Sequence, residues 1–569
     1  MLGMGKDTAL LRGRTLRIDV KAVLIILIVG FLLVFNVFPM LYLLFRAFFD
    51  EGGFTLEAVR RIYSYPLNWN ALRNTLVTAG LSMVFGVMIA FPLAWLVGRT
   101  DMPGRRFFRT LFVMTYMVPP YVGAMAWLRL LNPRVGTLNV WIAGVLGLPE
   151  NPFNIYSIGG LVWVLTTFYY PFAFITISRA MEKMDPSLEE ASRISGASPL
   201  KTVMTVTLPL MLPSLAAAAL LVFIAAASCY GIPSIIGAPG QIDTVTTRII
   251  DYVYVGSAQG LTDATALAVA LMLIAVLVLY ATSRLSGTRQ YITVSGKSTR
   301  PAIVGLGRWR WPVAALVGLF AIAVVVLPFA TVAMTSFTKN LGKPLSMANF
   351  TLRYWEILFT RKGILDTAMN SLVAASVAAT AGIVIACVMA WLLTRTHARG
   401  RSIPDFLITL GSGTPSVVIA LGLIMTMSGR FGINIYNTLS IMIIAYMVKY
   451  LLMGMRTVVS AMSQLHPSLE EAALISGADW QRSFRDVTLP LIAPSVVAGW
   501  FLIFMPSFYE LTMSTLLYST DTKTIGYELF TYQTYHSQQT ASAIATGILV
   551  MVAAVNWLLY KLTRGHFSI

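Results

Sequence analysis

Twelve long, predominantly apolar stretches punctuate the chain, at 22–49, 72–98, 107–130, 158–181, 211–236, 262–285, 311–336, 368–394, 404–428, 438–459, 495–517 and 541–563. About 20 such residues in an α-helix cross a bilayer core of roughly 30 Å. No water is available there to satisfy backbone polar groups, so only helices and closed barrels cross it. A barrel would show alternating strands of about ten residues instead. The predicted fold is an all-α integral membrane protein with about 12 transmembrane helices.

Composition agrees. Hydrophobic residues make up 57% of the chain and charged ones 12%, about half the charged share of a typical soluble protein. The formal net charge of +18 could suggest a nucleic-acid partner. Its distribution excludes that reading. Most of the Lys and Arg fall on one side of the twelve-helix arrangement: Lys6 to Lys21, Arg99 to Arg109, Arg179 to Lys201, Arg284 to Arg310, Arg395 to Arg401, Arg456 to Arg485, and Lys561 to Arg564. Excess Lys and Arg mark the cytoplasmic side. The chain is therefore predicted to be multi-pass, with both termini cytoplasmic and lipid as its surroundings. The first apolar run is too long for a signal-peptide core, so it counts as a mature span. Cys229 and Cys387 lie in different halves within spans and suit neither a disulfide framework nor a metal site.

The chain is also a tandem duplication. Pro186-Ser-Leu-Glu-Glu-Ala-Ser-Arg-Ile-Ser-Gly-Ala197 returns 281 residues later as Pro467-Ser-Leu-Glu-Glu-Ala-Ala-Leu-Ile-Ser-Gly-Ala478. Both copies run on into Val-Thr-Leu-Pro-Leu, at Val206 and Val487. Upstream, Asn74-Thr-Leu76, Ala94-Trp-Leu96, Arg99-Thr100 and Gly104-Arg105 return as Asn370-Ser-Leu372, Ala390-Trp-Leu392, Arg395-Thr396 and Gly400-Arg401, at an offset of 296. The first half thus carries 15 extra residues, placed in the external loop between Leu131 and Ser157. Residues 1–285 and 311–569 form two six-span halves joined by a polar cytoplasmic linker, 286–310. An even number of spans makes the repeats parallel, related by an axis along the membrane normal.

The duplicated polar segments, within 182–213 and 461–494, are too hydrophilic to be spans. Pro suits the first turn of a helix, whereas Ser187-x-x-Glu190 and Ser468-x-x-Glu471 suit a capping box starting two residues later. Both starts remain open. Leu188, Ala191 and Ile194 share a helix face, as do Leu469, Ala472 and Ile475. Gly196 and Gly477 fall where helices end in a left-handed residue. A second short helix follows, and the Leu-Pro pair is expected to break it before the next span. The product is an angled knob with an apolar stripe, one per half, suited to a soluble partner that comes in pairs.

At these residues the chain resembles ABC importer permeases, the inner-membrane components of binding-protein-dependent transport. Glu189, Glu190, Ala191 and Gly196 with Leu208-Pro209, and Glu470, Glu471, Ala472 and Gly477 with Leu489-Pro490, match the EAA motif of their coupling loops. The resemblance implies a type I ABC importer permease in fused two-permease form, in a bacterial inner membrane. It implies two copies of a cytoplasmic ABC ATPase, each seating one coupling loop. It also implies a periplasmic or lipid-anchored substrate-binding protein. ATP and Mg would then reside on the ATPase, with no cofactor and no catalysis in this chain. Pro119-Pro-Tyr-Val122, Pro152-Phe-Asn-Ile-Tyr156, Tyr230-Gly-Ile-Pro233 and Glu510-Leu-Thr-Met-Ser514 are most similar to ferric-iron permeases. Permeases for aminoethylphosphonate, thiamine and polyamines share much of that vocabulary.

Other signals carry less. Gly296-Lys-Ser-Thr299 looks like the end of a phosphate-binding loop, but Tyr291 stands where the first Gly belongs. Gly98-Arg-Thr-Asp101 to Arg106 resembles a loop signature of major facilitators, proton-coupled secondary transporters of twelve spans. Its spacing is one residue short, and that class leaves the knobs unexplained. His397, His466, His536 and His566 lack ligand spacing, and no metal site is assigned. Lys449 and Glu510 fall within predicted spans, where charge is costly and marks function by default. They are expected to face the interior, paired or lining a translocation path. The repeat equivalent of Glu510 is Cys229, so such a path is chemically asymmetric.

Overall fold

Each half is organised around three long helices that meet beside its knob. The computed structural model describes residues 20–50, 52–287, 303–341 and 346–562. The basic N-terminal segment, most of the linker with Gly296–Thr299, and His566 lie outside them. The elements used below are α1 (Val20–Phe48), α2 (Pro66–Arg99), α3 (Arg105–Thr115), α4 (Pro120–Leu131), α5 (Thr137–Leu146), α6 (Ile158–Lys183), α7 (Pro186–Ile194), α8 (Pro199–Ala227) and α9 (Ala258–Gly287) in the first half. The second half has α10 (Gly307–Thr335), α11 (Lys362–Arg395), α12 (Ser402–Gly413), α13 (Ser416–Thr426), α14 (Leu439–Gln464), α15 (Ser468–Ile475), α16 (Phe484–Phe508), α17 (Thr512–Leu517) and α18 (Gln538–Leu562).

Among the described residues, 10 helices are long and apolar enough to cross a membrane singly. The predicted spans at 107–130 and 404–428 are not straight helices. α3 and α4 meet at 103°, and α12 and α13 at 107°. Proline explains both corners. A residue before proline is pushed into extended backbone. Pro119 precedes Pro120 with ψ 131°, and Thr414 precedes Pro415 with ψ 135°. Connectivity shows that each bent pair still carries the chain across. The end of α2 touches the end of α6, through Arg99 and the Met181 carbonyl. α6 is 26 residues long, roughly 39 Å at the α-helical rise, so it begins on the opposite face. The chain between must cross, and α3 with α4 does so as one broken span. Arg395 and the Met462 carbonyl repeat the argument for α12 and α13. Counted as one span each, the two bent pairs bring the candidate spans among the described residues to 12.

Two other predicted spans end early. The run 211–236 stops as a helix at Ala227, and 495–517 stops at Phe508 before α17 resumes at Thr512. The Leu-Pro pairs do not break the chain either. A proline clashes with the carbonyl four residues before it. Here the turn ahead of each Leu-Pro widens into a π-helix, Val203–Thr207 and Phe484–Thr488, and the helix runs on. The same device precedes Pro39 and Pro328 in the first span of each half.

α2, α6 and α8 form the core of the first half, and α11, α14 and α16 that of the second. Without a hydrophobic drive between helices in lipid, close approach depends on small residues. Gly86 faces Val222, and its repeat equivalent Gly382 faces Ile503. The halves are laced together by exchange. α4 packs on α10, the first span of the other half, and α13 packs on α1. α13 is apolar all round and buried from Val417 to Thr426, as a helix enclosed on every side must be. The extra residues of the first half hold α5, where the second half has only the turn at 427–438.

Candidate functional site

Both knobs form the helix–glycine–helix that the residue pattern predicts. In the first copy the helix begins at Pro186, capped by Asp185, whose Oδ1 accepts the Ser187 amide at 2.9 Å. That hydrogen bond holds the Asp185 carboxyl below its ordinary range. In the second copy the helix begins at Ser468, and its amide donates to His466 Nδ1 at 3.3 Å. The capping box is used in neither, because Glu190 and Glu471 point outward and are exposed. Gly196 and Gly477 adopt φ +85° and +91°. In both, the glycine amide donates two positions past the last full turn (to Arg193 and Leu474 carbonyls), and the next amide reaches Ser192 or Ala473. This pair of bonds satisfies carbonyls that a helix end leaves open.

The apolar stripe is turned away from the protein. Ile194 is 87% exposed and Ile475 88%, and Leu188 and Leu469 are 47% and 45% exposed. Ala191 and Ala472 share that exposed face. Large side chains this bare recur on two equivalent elements.

The first glutamate of each pair does the opposite. Glu189 is 3% exposed, accepts the Thr207 hydroxyl at 2.7 Å and faces Arg99 at 3.8 Å. Arg99 Nη2 donates to the Met181 and Met184 carbonyls at 2.6 and 3.1 Å. The second half repeats the set. Glu470 accepts from Arg395 Nε at 3.0 Å and from the Thr488 hydroxyl at 2.9 Å. Arg395 Nη2 donates to the Met462 and Leu465 carbonyls at 3.1 and 2.9 Å. The copies differ in how the charges meet: Arg395 donates a hydrogen bond to Glu470, whereas Arg99 Nη1 and Glu189 Oε2 stand 3.8 Å apart without one. They differ also beside the linker. Val304, on the described end of the linker, forms an isolated parallel β-bridge with Thr100, its amide donating to the Arg99 carbonyl at 2.8 Å. Among the described residues no such bridge is made at Thr396.

Sequence reasoning missed Arg99, Arg395, Thr207 and Thr488 as members of this site. All four sit inside the repeated strings, at the offsets of 296 and 281. The signal was present and was absorbed by a simpler reading, a basic flank for the arginines and a helix breaker for the Val-Thr-Leu-Pro segments.

Lys449 and Glu510 lie at the breaks of the second half rather than at the knobs. Lys449 Nζ donates to the Ser412 and Thr414 carbonyls at 2.9 and 2.7 Å, at the corner between α12 and α13. Glu510 accepts the Met513 and Ser514 amides at 2.8 and 3.0 Å, in the first turn of α17. Cation at a helix C-terminus and anion at an N-terminus is the favourable pairing with the helix dipoles. The expected pairing is not found: among the described residues no ion pair joins them, because each is taken up by a helix end instead. Beside them the halves clasp reciprocally: Tyr121 donates to the Tyr509 carbonyl at 3.0 Å, and Tyr509 to the Met117 carbonyl at 2.9 Å. His, Cys, Asp and Glu form no group of three or more able to hold a metal among the described residues.

Up to twelve candidate spans among the described residues, in two matched halves with a projecting polar knob in each, make a membrane protein built as a fused pair. Residues 90–285 and 382–565, more than half of the chain, match the family described as binding-protein-dependent transport system inner membrane component, and the chain belongs to that family. It is an ABC importer permease. It is 26% identical over 509 residues to the putative ferric transport system permease protein FbpB 1 of Haemophilus influenzae, covering 88% of this chain and 78% of that one. It is 26% identical over 531 residues to the Fe(3+)-transport system permease protein FbpB 2 of the same organism, covering 92% and 95%. A solved bacterial ABC transporter involved in the import of the acidic polysaccharide alginate matches at 20% identity and a TM-score of 0.41, over 48% of this chain and 96% of that one.

Proposed function

We propose that this permease imports ferric iron, driven by a separate ATPase and supplied by a substrate-binding protein on the opposite face. One observation carries the ATPase half of the reading. The chain presents the same anchored knob twice, each with a bare apolar stripe and an outward glutamate. A pair of identical soluble subunits is the partner that such a surface fits. The basic residues that flank the knobs support a cytoplasmic position for the knobs and both termini. ATP and Mg then belong to the partner, and this chain has no cofactor of its own. Iron is supported by the printed names of the relatives. Lys449 and Glu510, at the central corners of one half, belong to the translocation path in this reading.

The test is reconstitution in lipid with the neighbouring ATPase and binding protein. ATP hydrolysis is measured with the binding protein empty, loaded with ferric iron, or loaded with a polyamine, thiamine or aminoethylphosphonate. Stimulation by the iron-loaded form alone is expected. Stimulation by another cargo removes iron and keeps the ATP-driven mechanism. If no ATPase associates and uptake collapses with the proton gradient, the protein is a secondary transporter.

A further inference from the structure

We propose that Arg99 and Arg395 are positioning residues that pass the movement of each knob into three spans at once. This rests on the reading above that the knobs dock an ATPase. Each guanidinium sits where the whole core of its half converges. Arg99 is the last residue of α2, and its Nη2 holds carbonyls at the end of α6. Its Nη1 faces Glu189 of the knob, and Glu189 is held in turn by Thr207, in the π turn that leads into α8. Arg395, Met462, Leu465, Glu470 and Thr488 build the same junction for α11, α14 and α16. A knob pushed by a partner therefore cannot shift without loading all three core helices.

Arginine is needed for geometric reasons. Its planar fork offers five donors and can serve two carbonyls and a carboxylate together, while lysine is a compact point charge. The carbonyls it takes lie at a helix C-terminus: Met181 and Met462 also accept the amide three residues on, while Met184 and Leu465 are the C-cap residues themselves, and a cation there is favoured by the helix dipole. Burial raises the stakes, since Arg99 is 1% exposed and a buried charge that loses its partner is left uncompensated. The arrangement also divides the work of each glutamate pair. Glu189 and Glu470 are occupied inside the permease, and Glu190 and Glu471 face the partner.

The experiment uses the assembled transporter in lipid, with ATPase binding, ATP hydrolysis and uptake measured on the same samples. Arg99→Lys with Arg395→Lys, and separately the milder Thr207→Val with Thr488→Val, are compared with the unaltered chain. The expected result is that ATPase still co-purifies and hydrolyses ATP. Uptake per ATP should fall by about 5- to 150-fold in the arginine pair, the usual span of coupling between distant sites, and by less in the threonine pair. A melting curve on each sample separates transmission from folding, because uptake per ATP is read only from the folded, ATPase-bound transporter. Unchanged uptake per ATP in both pairs overturns the proposal, as does a fall in ATPase binding that accounts for the whole loss of uptake. Failure of the unaltered chain to bind any ATPase overturns this proposal and the function it rests on together.

Discussion

Replacing Gly196 and Gly477 by valine isolates what the left-handed corner of each knob contributes. A Cβ added at either position meets nothing within 4 Å, so there is no steric clash with the rest of the protein. The cost is confined to the backbone, at φ +85° and +91°. Left-handed backbone costs an L-residue about 1–2 kcal/mol, and a β-branched one stands at the upper end. The knob can escape that strain by unwinding its last turn, which gives up the bonds to Arg193 and Ser192, or to Leu474 and Ala473. Ile194 and Ile475 lie in that turn and are the barest part of the stripe. A strain of about 1.4 kcal/mol lowers the population of the docked geometry roughly tenfold per knob. The spans are untouched, so expression and membrane insertion should persist. The assay is ATP hydrolysis and uptake in reconstituted lipid, with Gly→Asn at both sites as the control, because asparagine tolerates left-handed backbone. Valine should uncouple hydrolysis from uptake and asparagine should largely preserve it. Near-normal uptake in the valine pair, or equal damage by both residues, would refute the argument.

Three further outcomes follow from other contacts. Glu510→Gln keeps the shape but replaces a carboxylate that accepts two amides. Uptake should fall while insertion persists, and unchanged uptake removes Glu510 from the path. Gly422→Val sets a Cβ 3.0 Å from the Pro39 carbonyl, where α13 of one half packs on α1 of the other. Overpacking of this kind costs about 1–3 kcal/mol, visible as a lower melting temperature, and an unchanged one would show that the halves separate freely there. The Asp185 cap contributes above the ordinary Asp range and is lost as the pH falls through its lowered folded value. Amide protection across residues 187–194, taken relative to the intrinsic exchange rate at each pH, should therefore fall in acid, and Asp185→Asn, which caps without a charge, should flatten that dependence.

Much of the site was legible because it is written twice. The knob helices, their left-handed glycines and the exposed stripe all follow from local chemistry that repeats at a fixed offset. The start of each knob helix was not decidable from Pro186 and Ser187. It depended on whether the residue before, Asp185 or His466, turned its side chain back onto the chain. The role of the glutamate pairs was only half visible. Adjacent residues on a helix point about 100° apart, so Glu189 and Glu190 could not both face the same neighbour. Which one turned inward was settled by Arg99, 90 residues earlier in the chain.

The apolar runs, the basic flanks and the duplication are properties of the chain alone. They determined an all-α membrane protein of two parallel halves, because span length and the price of unpaired backbone in lipid allow little else. Tertiary structure decided what depends on distant partners. It bent two spans at proline corners and sent the first span of each half to its neighbour. It also gathered Arg99 and Arg395 against three helices each, and placed Lys449 and Glu510 on helix ends instead of on each other. A charged side chain in a sequence announces that it needs a partner, but only the packed fold brings that partner within 3 or 4 Å.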